Sequence, residues 1–266
     1  SEACRNVGIL FDDNRLNDEK RRTFQKLKQM QLSDGAWPWF PGGRGNDYIT
    51  LYITTGFGRL GHLGVDIDPS LAIKSLNRLD NWMNKTYRDI LKHGKKENNH
   101  LSYTIALYLY GRSFFLEQQK INPNAREAVD YFLGQARKYW LELGNRQSQG
   151  HVALALHRFG KDKDTPKAIV RSLKERSVSD EEMGMFWRDE ELSWWWHRAP
   201  IETQAVMIEV FDEIMNDQKS VEECKVWLLK QKQTQDWKTT KATADAVYAL
   251  VLRGSDLLAS DELVKV

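Results

Sequence analysis

Two cysteines among 266 residues are too few for a Cys-rich metal site. Cys4 and Cys224 leave room for one disulfide or none, so they do not fix the redox compartment. Neither charge is in surplus: 39 Lys plus Arg face 37 Asp plus Glu, a net of +2. A nucleic-acid-binding domain usually carries a basic excess gathered on one face. The one dense patch here, His93-Gly-Lys95-Lys96, reads as a solvated loop. No apolar run approaches the roughly eighteen residues of a membrane-spanning helix. The chain opens SEACRNVG, with neither an initiator Met nor a signal peptide. The expectation is a trimmed mature protein or an excised piece of a longer one. What is present is length, enough for one large domain or two small ones that bury about 70–75% of the unfolded surface.

Most of that length has helical period, and the helices are of two sorts. The first has one apolar stripe. Leu71, Leu76, Leu79 and Met83 line a face opposite Lys74, Asn77, Arg78 and Asn81, and residues 122–143, 19–31 and 219–230 repeat the pattern. These read as surface helices with one buried face. The second sort is apolar nearly all round: LSYTIALYLYG (101–111), HVALALHRFG (151–160), PIETQAVMIEVF (200–211) and TADAVYALVL (243–252). A helix without a polar face is expected to be wrapped by protein. The sorts alternate from residue 71 to 253, which predicts two layers of helical hairpins. The expected fold is all-α: a single domain over 1–266, an α/α toroid or a large part of one.

Large rings concentrate in the turns. DGAWPWFPGG (34–43) packs two tryptophans and a phenylalanine between helix-breaking glycines and prolines. Asp236-Trp237 ends a later outer helix, and GMFWRDEELSWWWHRAP (184–200) is a looser third copy. Each turn joins an outer helix to the next inner one. The rings are expected to plug the wedge between neighbouring hairpins, burying roughly 150–250 Å² each. Trp37, Trp39, Phe40, Trp195, Trp196 and Trp237 are also the candidate rim or partner contacts.

The motifs that carry chemistry are incomplete. Gly56-Phe-Gly58-Arg-Leu-Gly61 fits the dinucleotide fingerprint, with Asp80 downstream. However, Gly64 and Pro69 interrupt the helix that should follow, and no strand–helix–strand unit surrounds it. The reading is an inner helix whose glycines allow close packing, with no cofactor. Six histidines show no ligand spacing, so no metal is expected. Asp12-Asp13 lacks the third acid of a diphosphate motif, and Asp66-Ile-Asp68 lacks adjacent acids. There is no Gly-x-Ser-x-Gly elbow. For a glycosidase-like pair, which needs two carboxyls roughly 5–10 Å apart, Asp34 and Glu202 are the residues to try first. The alternative is that each tethers its own turn.

KQMQLSDGAWPWFPGGRGNDYITLYITTGFGRLGHLGV (28–65) resembles a segment of the helical, thioester-type domain of bacterial alpha-2-macroglobulin-like proteins. VWLLKQKQTQDWKTTKATADAVYALV (226–251) is similar to that family's closing hairpin, through Trp227, Leu228, Lys230, Gln231, Thr243, Asp245, Val247, Ala249 and Leu250. The resemblance implies an α/α toroid over residues 10–255. It implies a place in the cell envelope, periplasmic or surface-exposed, and a role in proteins thought to entrap proteases. Partners would be other domains of the parent chain and a target protease. The family's Cys-x-Glu-Gln is missing, because Cys4 precedes Arg-Asn-Val and Cys224 precedes Lys-Val-Trp. The expectation is therefore a non-catalytic domain without a thioester of its own. The rival expectation is an α/α-barrel enzyme acting on carbohydrate or terpenoid substrates, with a cavity lined by Trp37, Trp39, Trp195 or Trp196 above two converging carboxylates. A peptide-binding solenoid is a third.

Overall fold

A computed structural model describes residues 13–188, 199–234, 237 and 239–252. Ten α-helices make up most of the described chain: α1 (Asp13–Met30), α2 (Asp47–His62), α3 (Ser70–His93), α4 (Tyr103–Ser113), α5 (Arg126–Tyr139), α6 (Arg146–Phe159), α7 (Asp164–Glu175), α8 (Pro200–Val210), α9 (Gln218–Thr234) and α10 (Thr240–Val251). The sheets are two small antiparallel hairpins. β1 (Trp37–Pro38) pairs with β2 (Gly45–Asn46), and β3 (Val178–Asp180) with β4 (Gly184–Phe186). The fold is all-α, as the periodicity predicts.

The β-branched run YITLYITT is helical against its local propensity. Asn46 caps α2 by accepting the Ile49 N–H at 2.9 Å. Thr50, Thr54 and Thr55 then each donate to the carbonyl four residues back, at 2.7–2.8 Å. Threonines that return their hydroxyls to the helix can be buried in it without unpaired polar atoms. Ser102, Asn145 and Thr239 cap α4, α6 and α10 in the same way. A helix start surrounded by protein cannot leave its first N–H groups to water.

The two layers are present. Among outer helices, α3 buries Ala72, Leu76, Leu79, Met83 and Tyr87 on one stripe, and α7 buries Pro166, Ile169, Val170 and Leu173. Among inner ones, every residue of α6 from Ser148 to Leu156 is buried, as is every residue of α8 from Glu202 to Val210. Inner helices pack in chain order, α2 on α4, α4 on α6, α6 on α8 and α8 on α10. The expectation that 243–252 is wrapped holds on one face only. Ala246 and Ala249 are buried, while Val247 and Val251 are 48% and 38% exposed. As the last of the series, α10 has an inner neighbour on one side alone.

The aromatic turns seal joints, through one tryptophan each among the described residues. The Trp37 indole N–H donates to Leu27 O of α1 at 2.8 Å, Trp187 to Leu173 O of α7 at 2.9 Å, and Trp237 to Leu228 O of α9 at 3.2 Å. These three outer helices thus each give a carbonyl to the turn that follows. Two turns also press a glycine against the next outer helix. A Cβ on Gly35 (φ +86°) would lie 2.5 Å from Lys74 O of α3, and one on Gly184 (φ +75°) would strike Glu223 O of α9. Trp37, Trp187 and Trp237 are buried, so Trp37 and Trp237 are not the surface contacts expected of them. Trp39 and Phe40 are 64% and 63% exposed. Trp195 and Trp196 lie outside the described residues.

The glycines of residues 56–61 are a partial correction. Only Gly58 permits a close approach, since a Cβ there would lie 2.7 Å from the Phe114 side chain, and Gly56 and Gly61 meet nothing. Asp80 is buried and occupied: it accepts from Tyr108 Oη at 2.8 Å, Arg112 Nε at 3.0 Å and Asn122 N at 3.1 Å.

Candidate functional site

The first and last inner helices face each other across a cavity of about 830 Å³, covered on one side by α1. Helical spacing brings the lining together. Tyr48, Tyr52, Thr55 and Arg59 follow one face of α2, and Lys241, Ala244, Tyr248 and Val251 one face of α10. Phe24, Leu27, Ile53, Phe57 and Leu107 make most of the wall apolar. Burial raises the Tyr52 phenol to about 12 and also raises Tyr48, so both are neutral hydroxyls at pH 7.

A polar network closes the floor. Arg59 of α2 is paired with Asp245 of α10, and its Nε donates to Tyr110 Oη at 3.1 Å. Its guanidinium also lies 4.9 Å from the centre of the Tyr248 ring. Lys241 reaches Asp245 at 3.2 Å and Glu202 at 3.3 Å. One layer deeper, Arg158 of α6 binds Glu209 at 2.6 Å and Glu213 at 2.5 Å, and Tyr110 and Tyr248 both donate to Glu209. Glu213 lies on a single π turn, Phe211–Met215, that continues α8. Burial alone would raise the Glu209 carboxyl. Arg158, Arg59 and the Tyr110 hydroxyl outweigh it and hold the group below its ordinary value. It is an ion-pair partner, not a proton donor.

His151 of α6 also lines the cavity. Its ring stacks on Tyr110 at 4.6 Å, and its buried Nε2 has no hydrogen-bond partner. Burial first, then the positive charges of Arg59, Lys241 and Arg158, push its pKa well below 6.5. The imidazole is neutral at pH 7.

Asp34 and Glu202, the carboxylates to try first as a glycosidase-like pair, instead follow the alternative reading, each tied to its own surroundings. Asp34 stays on its turn, accepting the Ala36 N–H at 3.1 Å and pairing with Arg78 of α3. Glu202 is buried at the start of α8 against Lys241. They share no partner, because each is neutralised by the cation nearest its own element. Of the tryptophans named for the enzyme reading, Trp37 and Trp39 do not line this cavity, Trp195 and Trp196 lie outside the described residues, and the carboxylate on the described lining is Asp245. His62, Glu209 and Glu213 bring ligand atoms within 4.8 Å of one another. Arg158 already bonds both carboxylates, so the donor set does not suit a divalent cation. Cys224 is a buried free thiol whose pKa burial raises well above its ordinary value, so it is a poor nucleophile. Cys4 lies outside the described residues.

Arg59, Arg158, Glu209 and Asp245 are the residues that sequence reasoning missed. Their signal is isolation: each is a rare charge in a stretch that is otherwise apolar. A charge on a wrapped helix needs an opposite charge on another, and these four find one another.

No family model matches the chain, and no curated protein does. Among solved structures, it is similar to Escherichia coli alpha-2-macroglobulin activated by porcine elastase, with a TM-score of 0.52 and 21% identity over 88% of this chain. The chain spans 20% of the length of that protein. At this identity the likeness establishes the fold.

Proposed function

We propose that this chain is the helical, non-catalytic domain of an alpha-2-macroglobulin-like protease-trapping protein, an α/α toroid with no thioester of its own. The observation that carries the reading is the fold likeness to a fifth of the bacterial macroglobulin over nearly the whole of this chain. It agrees with the two aromatic turns that resemble the family. The missing Cys-x-Glu-Gln and the inert Cys224 support a contact role rather than acylation. Trp39 and Phe40, large and exposed at the tip of the β1–β2 hairpin, are the surface assigned to a neighbouring domain of the parent chain. The cell envelope is the corresponding location.

Denaturing gels after incubation with porcine elastase test the acylation half. The expected result is no band shifted upward by the mass of the protease, and such a band overturns it. A panel of glycosides tests the rival. Turnover that is lost on Glu202→Gln while the variant melts like wild type would replace the proposal with an enzyme.

A further inference from the structure

We propose that the cavity between α2 and α10 binds a small, uncharged and mostly apolar molecule carrying one hydroxyl group, held by His151 Nε2. Three observations converge on that chemistry. The volume, about 830 Å³, lies within the range of pockets that hold small molecules, and the walls are chiefly aliphatic and aromatic. The inner charges leave nothing over for an ionic ligand. Arg59 and Lys241 are set against Asp245 and Glu202. Lys20, the remaining charged residue on the lining, is exposed and donates to the Asp66 carbonyl at 2.7 Å.

The third observation is His151. Buried polar atoms nearly always have partners, and leaving one unpaired typically costs about 1–3 kcal/mol. Its Nε2 has none and is itself sealed from water, although the residue borders an open space, so a ligand hydroxyl reaches it through a small local shift of the wall. The imidazole cannot turn away freely, because the ring is stacked on Tyr110, itself bonded to Glu209. Neutral imidazole presents either a donor or an acceptor at this nitrogen, and a hydroxyl complements both. A carboxylate would meet Asp245 and Glu202 nearby, and an ammonium would meet Arg59 and Lys241.

Binding of naphthalene, 2-naphthol and 2-naphthoate to the full chain, followed by calorimetry or saturation-transfer NMR, tests this site. The expected order puts 2-naphthol first, about fivefold tighter than naphthalene, the worth of one hydrogen bond. In His151→Phe, which keeps a ring on Tyr110, the two neutral probes should bind equally. Gly56 supplies an independent arm. It lies on the lining with nothing within 4 Å of a Cβ, so a side chain placed there by Gly56→Phe starts into open space and takes up part of the cavity. This variant should retain or raise the melting temperature and lose all three probes. Four outcomes overturn the proposal: no binding of 2-naphthol to wild type; 2-naphthoate binding tighter than 2-naphthol; a naphthol preference that survives His151→Phe; or binding unchanged in a folded Gly56→Phe.

Discussion

Helices α6 and α8 are buried from Ser148 to Leu156 and from Glu202 to Val210, α6 meeting the cavity only near its start through Gln147, Ser148 and His151, whereas α2 and α10 each keep a long face on it. The four sequences look alike: long apolar stretches broken by one or two charges. Their surroundings differ because the middle helices have inner neighbours on both sides and the terminal ones on a single side. An apolar helix therefore does not require protein on every face. It requires the absence of bulk water, and a concave pocket supplies part of that. Charge is treated differently in the two places. In the middle, Arg158, Glu209 and the tyrosines form a closed set with little exposure. At the edge, Arg59 of α2 reaches α10 twice, pairing with Asp245 and lying against the Tyr248 ring.

The largest effect should come from opening the middle. Glu209→Ala strips Arg158 and two buried tyrosine hydroxyls of a shared acceptor, and breaking a buried pair typically costs about 3–5 kcal/mol. Urea unfolding followed by circular dichroism measures it. A loss under about 1 kcal/mol would mean that the centre is wetter than its burial indicates.

Glycine scanning sharpens the contrast between middle and edge. At Gly150 of α6 a Cβ would lie 2.6 Å from Val206 Cγ1 of α8, so Gly150→Ala should destabilise by about 1–3 kcal/mol through overpacking. At Gly56 of α2 a Cβ meets nothing, so Gly56→Ala should stabilise by up to about 1 kcal/mol through helix propensity. Equal changes in melting temperature at the two sites would erase the distinction.

Protonation gives a comparable effect. His151 is held neutral by burial and by Arg59, Lys241 and Arg158. Free histidine in the unfolded chain takes up a proton below about 6.5. The unfolded state therefore binds more protons as the pH falls, and stability is lost from about pH 6.5 downward, at up to about 1.4 kcal/mol per pH unit. Between pH 7.5 and 5.5, His151→Phe should lose about 1.4 kcal/mol less than wild type in paired urea titrations. Parallel losses would show that another group sets the dependence.

Much of the fold could be read from the residues. The outer and inner helices were expected within a few positions of where they lie, because stripe against all-round apolarity is a signal carried by every turn of helix. The turns were legible as seals, through glycines that forbid helix and rings too large for water. Trp187 went unnamed because it stands among four tryptophans within ten positions, and nothing in the sequence tells which ring finds the Leu173 carbonyl. The site was not legible. Its residues come from α1, α2, α4, α6 and α10, and pairing Arg59 with Asp245 depends on how the ends of the helix series meet. Asp34 and Glu202 drew attention for standing near aromatic turns, yet proximity in sequence to a ring says nothing about which cation a carboxylate meets.

Arg59 and Asp245 are 186 positions apart. Seen as a mechanical part, their bridge is a clasp. Tension applied across the two helices would load this link together with the packing of α2 on α4 and of α10 on α8. Once it yields, a row of hairpins is left that can peel away one after another. In an assembly that is pulled or rearranged, a fastener built on Arg59, Asp245 and Tyr248 would then help set the force at which this domain begins to lengthen.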